Sequence, residues 1–109
     1  MDMMYYELTG MIVTDVEVDI NFIKLISKDQ TFILQGDLND NIDYIDEDEI
    51  PNIIGVPLLR VELTSSIHLY HSHLTIMFIN FSTIKGELNI SWECNNHPPI
   101  LLNFKGEHK

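Results

Sequence analysis

The densest run of side chains able to do chemistry is His68-Leu69-Tyr70-His71-Ser72-His73. In an extended segment His71 and His73 point the same way, a spacing that lets two imidazoles share one zinc ion. His68 is the third candidate ligand, with Cys94 or His97 joining only where the fold brings them near. The competing reading is a polar hairpin bend between Leu63 and Leu74 with its histidines in solvent. That reading is favoured, because structural zinc sites carry tighter Cys/His pairs. A metal-binding protein or metalloenzyme using His68, His71 and His73 stands as the alternative from a different function class.

A second oxygen-rich run, Asp37-Leu38-Asn39-Asp40-Asn41-Ile42-Asp43, has Asp48 eleven residues after Asp37, which is the ligand spacing of a calcium loop. Ile42 stands where the sharp turn needs glycine, and the flanks read as strand, so a solvated acidic loop is expected instead. Nucleophilic chemistry finds little support. Cys94 has no Lys or Arg beside it to depress its pKa, and a Cys94–His97 pair lacks an orienting third group. No serine sits in a nucleophile elbow, the carboxylates at 43–49 look solvated, and Gly10, Gly36, Gly55, Gly86 and Gly106 make no phosphate loop. The expectation is a non-enzyme without metal or cofactor.

Charge is the stronger signal. The 109 residues carry a net charge of -11, with 17 acids against six Lys and Arg. Residues 1–49 hold thirteen of the acids against Lys24 and Lys28, whereas residues 50–109 hold four of each sign. A one-sided negative potential repels nucleic acid and anionic membranes and attracts basic proteins. The peak lies in Asp37, Asp40, Asp43, Asp46, Glu47, Asp48 and Glu49, interleaved with Tyr44 and isoleucines. Carboxylates steer an encounter and a buried aromatic anchor holds it, so these eight residues are the expected partner-binding set.

The elements that must position them read as strands. A content of 45% apolar and 21% charged residues fits one globular domain over 1–109. Period-two alternation puts Ile12, Thr14, Val16 and Val18 on one face of a first strand. Asn21 to Ser27 and Gln30 to Gln35 read as a hairpin turned at Lys28-Asp29. Leu58 to Leu63 follows with Leu59, Val61 and Leu63 inward, then Leu74 to Phe81, apolar on both faces and hence a central strand covered twice. Glu87 to Glu93 turns Leu88, Ile90 and Trp92 inward, and Ile100 to Phe104 after Pro98-Pro99 reads as an edge strand through which copies of the chain could associate. Asp40 to Ile50, with its sparse stripe of Ile42, Ile45 and Ile50, is the best place for a short helix.

A repeat of about forty-five residues aligns Leu8-Thr9-Gly10 through Val16-Glu17-Val18 with Ile53-Ile54-Gly55 through Val61-Glu62-Leu63. The expected fold is mainly β: two three-stranded antiparallel meanders, pseudo-repeats 8–36 and 53–93, forming one twisted sheet or a small sandwich. An acidic loop or helix over 37–50 links them. A lone cysteine and an opening Met1-Asp2-Met3-Met4-Tyr5-Tyr6-Glu7 without signal-peptide character point to the cytoplasm.

Gly10 with Val16-Glu17, Tyr44-Ile45-Asp46, Ile54-Gly55-Val56-Pro57-Leu58 and Lys85-Gly86-Glu87-Leu88-Asn89-Ile90-Ser91-Trp92 occur in an order that resembles a family of small, functionally uncharacterised bacterial and phage-borne β-domain proteins. The chain departs from that family at Asp37-Leu38-Asn39-Asp40, where the family has a cysteine pair, and at Asn95-Asn96-His97-Pro98 after the tryptophan. The resemblance implies a compact β fold at home in mobile elements or toxin-immunity loci, and it carries over no catalytic residue. Together these readings point to an inhibitory binding protein, an immunity protein whose acidic face occludes a basic, nuclease-like toxin. A phage-encoded inhibitor of a host defence nuclease, acting as a nucleic-acid mimic, is the alternative.

Overall fold

Two antiparallel sheets bury their apolar faces in one core. The computed structural model describes residues 3–36, 40–68, 75–94 and 99–105. In chain order the strands are β1 (Met3–Met4), β2 (Asp15–Val18), β3 (Phe22–Ile26), β4 (Gln30–Gln35), β5 (Asn41–Ile45), β6 (Arg60–His68), β7 (Thr75–Thr83), β8 (Gly86–Cys94) and β9 (Ile100–Lys105). Short 3-10 helices span Tyr6–Leu8 and Glu47–Ile53. One sheet has the order β1-β6-β7-β8-β5 and the other β2-β3-β4-β9. The chain is thus mainly β. No helix among the described residues is long and apolar enough to cross a membrane.

Each sheet is built on one three-stranded meander, β2-β3-β4 or β6-β7-β8, and each is completed by the strand that follows the other meander. β5 leaves the first unit to pair with β8, and β9 leaves the second to pair with β4. The exchange is laid out around a reciprocal contact between the aligned glycine turns. Gly10 N–H donates to the Leu58 carbonyl at 2.7 Å and Gly55 N–H to the Val13 carbonyl at 2.8 Å. The isolated bridge Ile12–Pro57 lies between them, and its partners are also forty-five residues apart. Gly10 and Gly55 have φ of 90° and 88°, a left-handed backbone that glycine adopts without a Cβ penalty.

Alternation decides which side chains enter the core. Ile23 and Leu25 of β3 face Leu34 and Phe32 of β4, while Val61, Leu63, Met77, Ile79, Phe81, Leu88, Ile90 and Trp92 line the other sheet. Three assignments from periodicity differ. Ile12 and Thr14 are exposed and Met11 and Val13 buried, because the chain changes phase between the Ile12–Pro57 bridge and the pairing of Asp15 with Ile26. Leu59 is exposed and Leu58 buried, since β6 begins only at Arg60. β7 is central, but Ile76 and Phe78 on its outer face are half-buried, with no second layer over them among the described residues.

Trp92 is the largest fully buried side chain, and its indole Nε1–H has no hydrogen-bond partner among the described residues. It lies against Gly36, where an added Cβ would stand 2.8 Å from Nε1 and 2.8 Å from the Cβ of Asp40. The bare glycine therefore lets β4 turn away over the tryptophan.

Candidate functional site

The acidic segment 41–53 is a strand followed by a 3-10 helix, where a loop or helical linker was expected. β5 pairs with β8 through Asn41–Glu93, Ile42–Trp92, Tyr44–Ser91 and Ile45–Ile90, with a register shift between Ile42 and Tyr44. Asp43 is the extra residue of this bulge. In a strand of this sequence without the bulge, Ile42 and Tyr44 would share one face and Ile45 would take the other. With it, Ile42 and Ile45 both pack on the core while Asp43 and Tyr44 both face solvent. The three-residue spacing of Ile42 and Ile45, which imitates a helical stripe, is the trace of the bulge.

Tyr44 is 60% exposed and stands across from Ser91, which in turn pairs with Phe78 of β7. The carboxylates around it divide by what they hold. Asp43 Oδ2 accepts from Ser91 Oγ at 3.3 Å. Asp46 caps the 3-10 helix, its Oδ1 accepting from Asp48 N–H at 3.0 Å. Glu49 Oε1 accepts from Asn89 N–H at 2.9 Å and so ties the helix to β8, helped by Asn52 Nδ2 donating to the Glu87 carbonyl at 3.0 Å. Glu47 and Asp48 are exposed and spend their side chains on no such bond. Asp43, Tyr44, Asp46, Glu47, Asp48 and Glu49 therefore come together along one edge of the five-stranded sheet. Asp40 does not join them: it is 1% exposed, beside Gly36 and beneath the sheet edge. Asp37 lies outside the described residues.

Two contributions come from outside the acidic run 37–49. Ile42 N–H donates to the Ile20 carbonyl at 2.7 Å, which seats the β2–β3 turn against β5. This brings in Asp19, exposed, and Ile20, 66% exposed. From the electrically neutral half, Glu93 pairs with Asn41, and Glu87 lies on the same outer face of β8. The outward positions of β8, Glu87, Asn89, Ser91 and Glu93, were the available signal for this. None of the described side-chain cations forms an ion pair with these carboxylates: Lys28 is exposed in the β3–β4 turn, and Lys85 reaches only the carbonyl just past the helix. Lys24 pairs with Glu17 at 3.3 Å, Arg60 with Glu62 at 2.8 Å, and Lys85 Nζ donates to the Ile54 carbonyl at 2.8 Å.

The metal readings gain no geometry. His71, His73 and His97 lie outside the described residues, and among the described residues no group of three His, Cys, Asp or Glu is placed to hold a metal ion. The register does align His68, Thr75 and Cys94 in one row across β6, β7 and β8. The alternating oxygens from Asn41 to Ile45 run along a paired strand and do not wrap a loop. Cys94 is buried near Tyr5, whose hydroxyl donates to the Pro99 carbonyl at 3.1 Å. Burial, reinforced by the Cys94 sulfur, pushes the Tyr5 phenol up to about 12.

No family model matches the chain, and no curated protein or solved structure resembles it closely enough to count as a match. Function is therefore argued from the site itself.

Proposed function

We propose that this chain is an inhibitory binding protein that occludes a basic partner with the acidic edge formed by β5, the Glu47–Ile53 helix and the β2–β3 turn. In its narrower form it is a cytoplasmic immunity protein that neutralises a cognate bacterial toxin with a nuclease-like, cationic groove. The reading is carried by one observation: a bulge holds Tyr44 60% exposed amid carboxylates that no Lys or Arg among the described side chains is seen to neutralise.

Fixed negative charge on a rigid sheet edge raises the encounter rate with a cation-lined groove without chemistry of its own. An exposed tyrosine supplies large contact area for two rotatable angles, and a ring of carboxylates satisfies the arginines and lysines around it. Asp43, Asp46 and Glu49 are already oriented by hydrogen bonds, so binding need not order them.

Co-expression with the product of the gene immediately upstream tests this. The expected result is that a toxic C-terminal domain encoded there kills cells alone, and that this chain restores growth while Tyr44→Ala with Glu47→Lys and Asp48→Lys does not. Full protection by that triple variant contradicts the assignment of the acidic edge.

A further inference from the structure

Among the described residues the two sheets have four edges, and three are protected against pairing with another chain. The β6 edge is covered by β1 at Leu63 and Glu62 and is bulged at Thr64. β2 carries exposed Asp15 and Glu17. β5 is bulged at Asp43 and is seated against the β2–β3 turn through Ile42 N–H. Short strands, charges and bulges are the devices by which sheet proteins avoid edge-to-edge association. β9 has none of them over Ile100 to Phe104. It contains no proline, no bulge and no acid, and its outward side chains Ile100, Leu102 and Phe104 are 57%, 37% and 40% exposed.

The phase of the hydrogen bonds shows what that edge offers. Ser27 N–H donates to the Gln30 carbonyl and Gly36 N–H to the Asn21 carbonyl, which fixes the even-numbered residues of β4 as those bonded to β3. The odd-numbered residues Thr31, Ile33 and Gln35 then bond to Phe104, Leu102 and Ile100. The amides and carbonyls of Leu101 and Asn103 are left facing away from the sheet.

We propose that β9 is a homodimer interface, pairing antiparallel with β9 of a second copy about a two-fold axis at Leu102. In this register Leu102 faces Leu102 of the second copy, and Ile100 faces Phe104 in both directions. Leu101 and Asn103 exchange the backbone bonds. The strand is self-complementary: every exposed apolar side chain meets another, as an isologous contact requires. Charge selects a second copy in the same way. A protein of net charge -11 repels its own copy least where its surface carries no acid, and β9 carries none. The acidic strand β2 lies three strands from β9, about 14 Å at the usual strand spacing, so pairing through β9 keeps the acidic edges of the two copies at the far ends of an eight-stranded sheet. The interface is on the other sheet from Tyr44 and leaves both acidic edges open, which makes the dimer bivalent. It does not depend on the function proposed above.

Light scattering on the full chain after gel filtration should give about 25 kDa, twice the 12.7 kDa of one copy, at micromolar concentration. Asn103→Pro removes an outward-facing N–H that no bond among the described residues uses, and Leu102→Glu sets two charges against each other at the axis. Each should shift the mass to 12.7 kDa with an unchanged circular-dichroism spectrum. Leu102→Cys gives a check on register. Directly opposed, non-hydrogen-bonded residues have Cα atoms about 4.5 Å apart, within disulfide range, so mild oxidation should cross-link the dimer while buried Cys94 stays reduced. A monomeric wild type, a dimer that survives both edge substitutions, or failure of Leu102→Cys to cross-link would overturn the proposal. A wild type that is monomeric alone but captures a foreign strand at β9 overturns it equally. Glu47→Lys with Asp48→Lys should leave the mass unchanged, so failure here is separable from failure of the acidic-edge reading.

Discussion

Replacing Tyr5 with phenylalanine should destabilise the protein at neutral pH and stabilise it in strong alkali. Tyr5 is 5% exposed, and its hydroxyl donates to the Pro99 carbonyl across ninety-four residues of sequence. Losing that buried bond should cost about 1 kcal/mol. Against this, the phenol titrates near 12 in the folded chain and near 10 when unfolded. A pKa raised by folding means that the folded state keeps its proton where the unfolded state has lost it. The associated stability is whole below pH 10 and drains away as pH rises toward 12. The loss is about 1.4 kcal/mol at pH 11 and approaches about 2.7 kcal/mol beyond pH 12. Phenylalanine has nothing to titrate, so the two stability curves should cross a little below pH 11, at about the point where the linkage loss equals the hydrogen bond. Urea unfolding of both proteins at pH 7, 9, 10 and 11 measures the gap, and every group not coupled to the Tyr5 phenol cancels in the difference. A gap that stays constant from pH 7 to pH 11 would refute the argument, because it would mean that the Tyr5 phenol ionises as freely folded as unfolded.

Gly36→Ala should cost about 1–3 kcal/mol in urea unfolding, since its Cβ would sit 2.8 Å from both Trp92 Nε1 and the Asp40 Cβ; a neutral result would show that β4 leaves the sheet more loosely than described. A double-mutant cycle on Asn80 and Asn89, whose side chains are joined by a 2.7 Å hydrogen bond on the outer face of the five-stranded sheet, should give a coupling of about 1 kcal/mol. Zero coupling would remove that bond from the account of the face. Asp46→Ala should lose about 1 kcal/mol of stability as a cap, whereas Glu47→Ala, exposed and unbonded, should change thermal unfolding little.

Local pattern in the sequence carried much of the fold. The Phe22–Ile26 and Gln30–Gln35 hairpin, the inward Leu88, Ile90 and Trp92, and the edge strand at Ile100 all follow from alternation and turn residues within a few positions. What alternation does not encode is which distant strands pair. The exchange of β5 and β9 between sheets joins residues roughly fifty and seventy apart in sequence, and no local period marks it. The bulge at Asp43 was illegible for a sharper reason. One inserted residue converts a two-residue period into the three-residue spacing of Ile42 and Ile45, which a helix would also produce.

The acidic edge was legible only in part. Six of the eight expected residues line it, because an acidic segment that also carries Ile42 and Ile45 must lie on the surface with its isoleucines turned in. Asp40, in the same run, is buried against Gly36 and Trp92, and nothing in its neighbours distinguishes it. Asp43 and Asp46 proved to be structural as well as acidic, through Ser91 and the helix cap. Charge reversal at those two would confuse folding with binding, and Glu47 and Asp48 are the cleaner probes.

The most direct measurement is therefore the salt dependence of association between this chain and the domain encoded upstream, for wild type and for Glu47→Lys with Asp48→Lys. The substitution moves the net charge from -11 to -7, two units for each of two residues. The wild-type on-rate should fall at least about tenfold between low salt and about 0.5 M as the field is screened. The variant should associate slowly at low salt and show a much flatter dependence. Equal on-rates and equal salt slopes for the two proteins would contradict the claim that this acidic edge is the binding face.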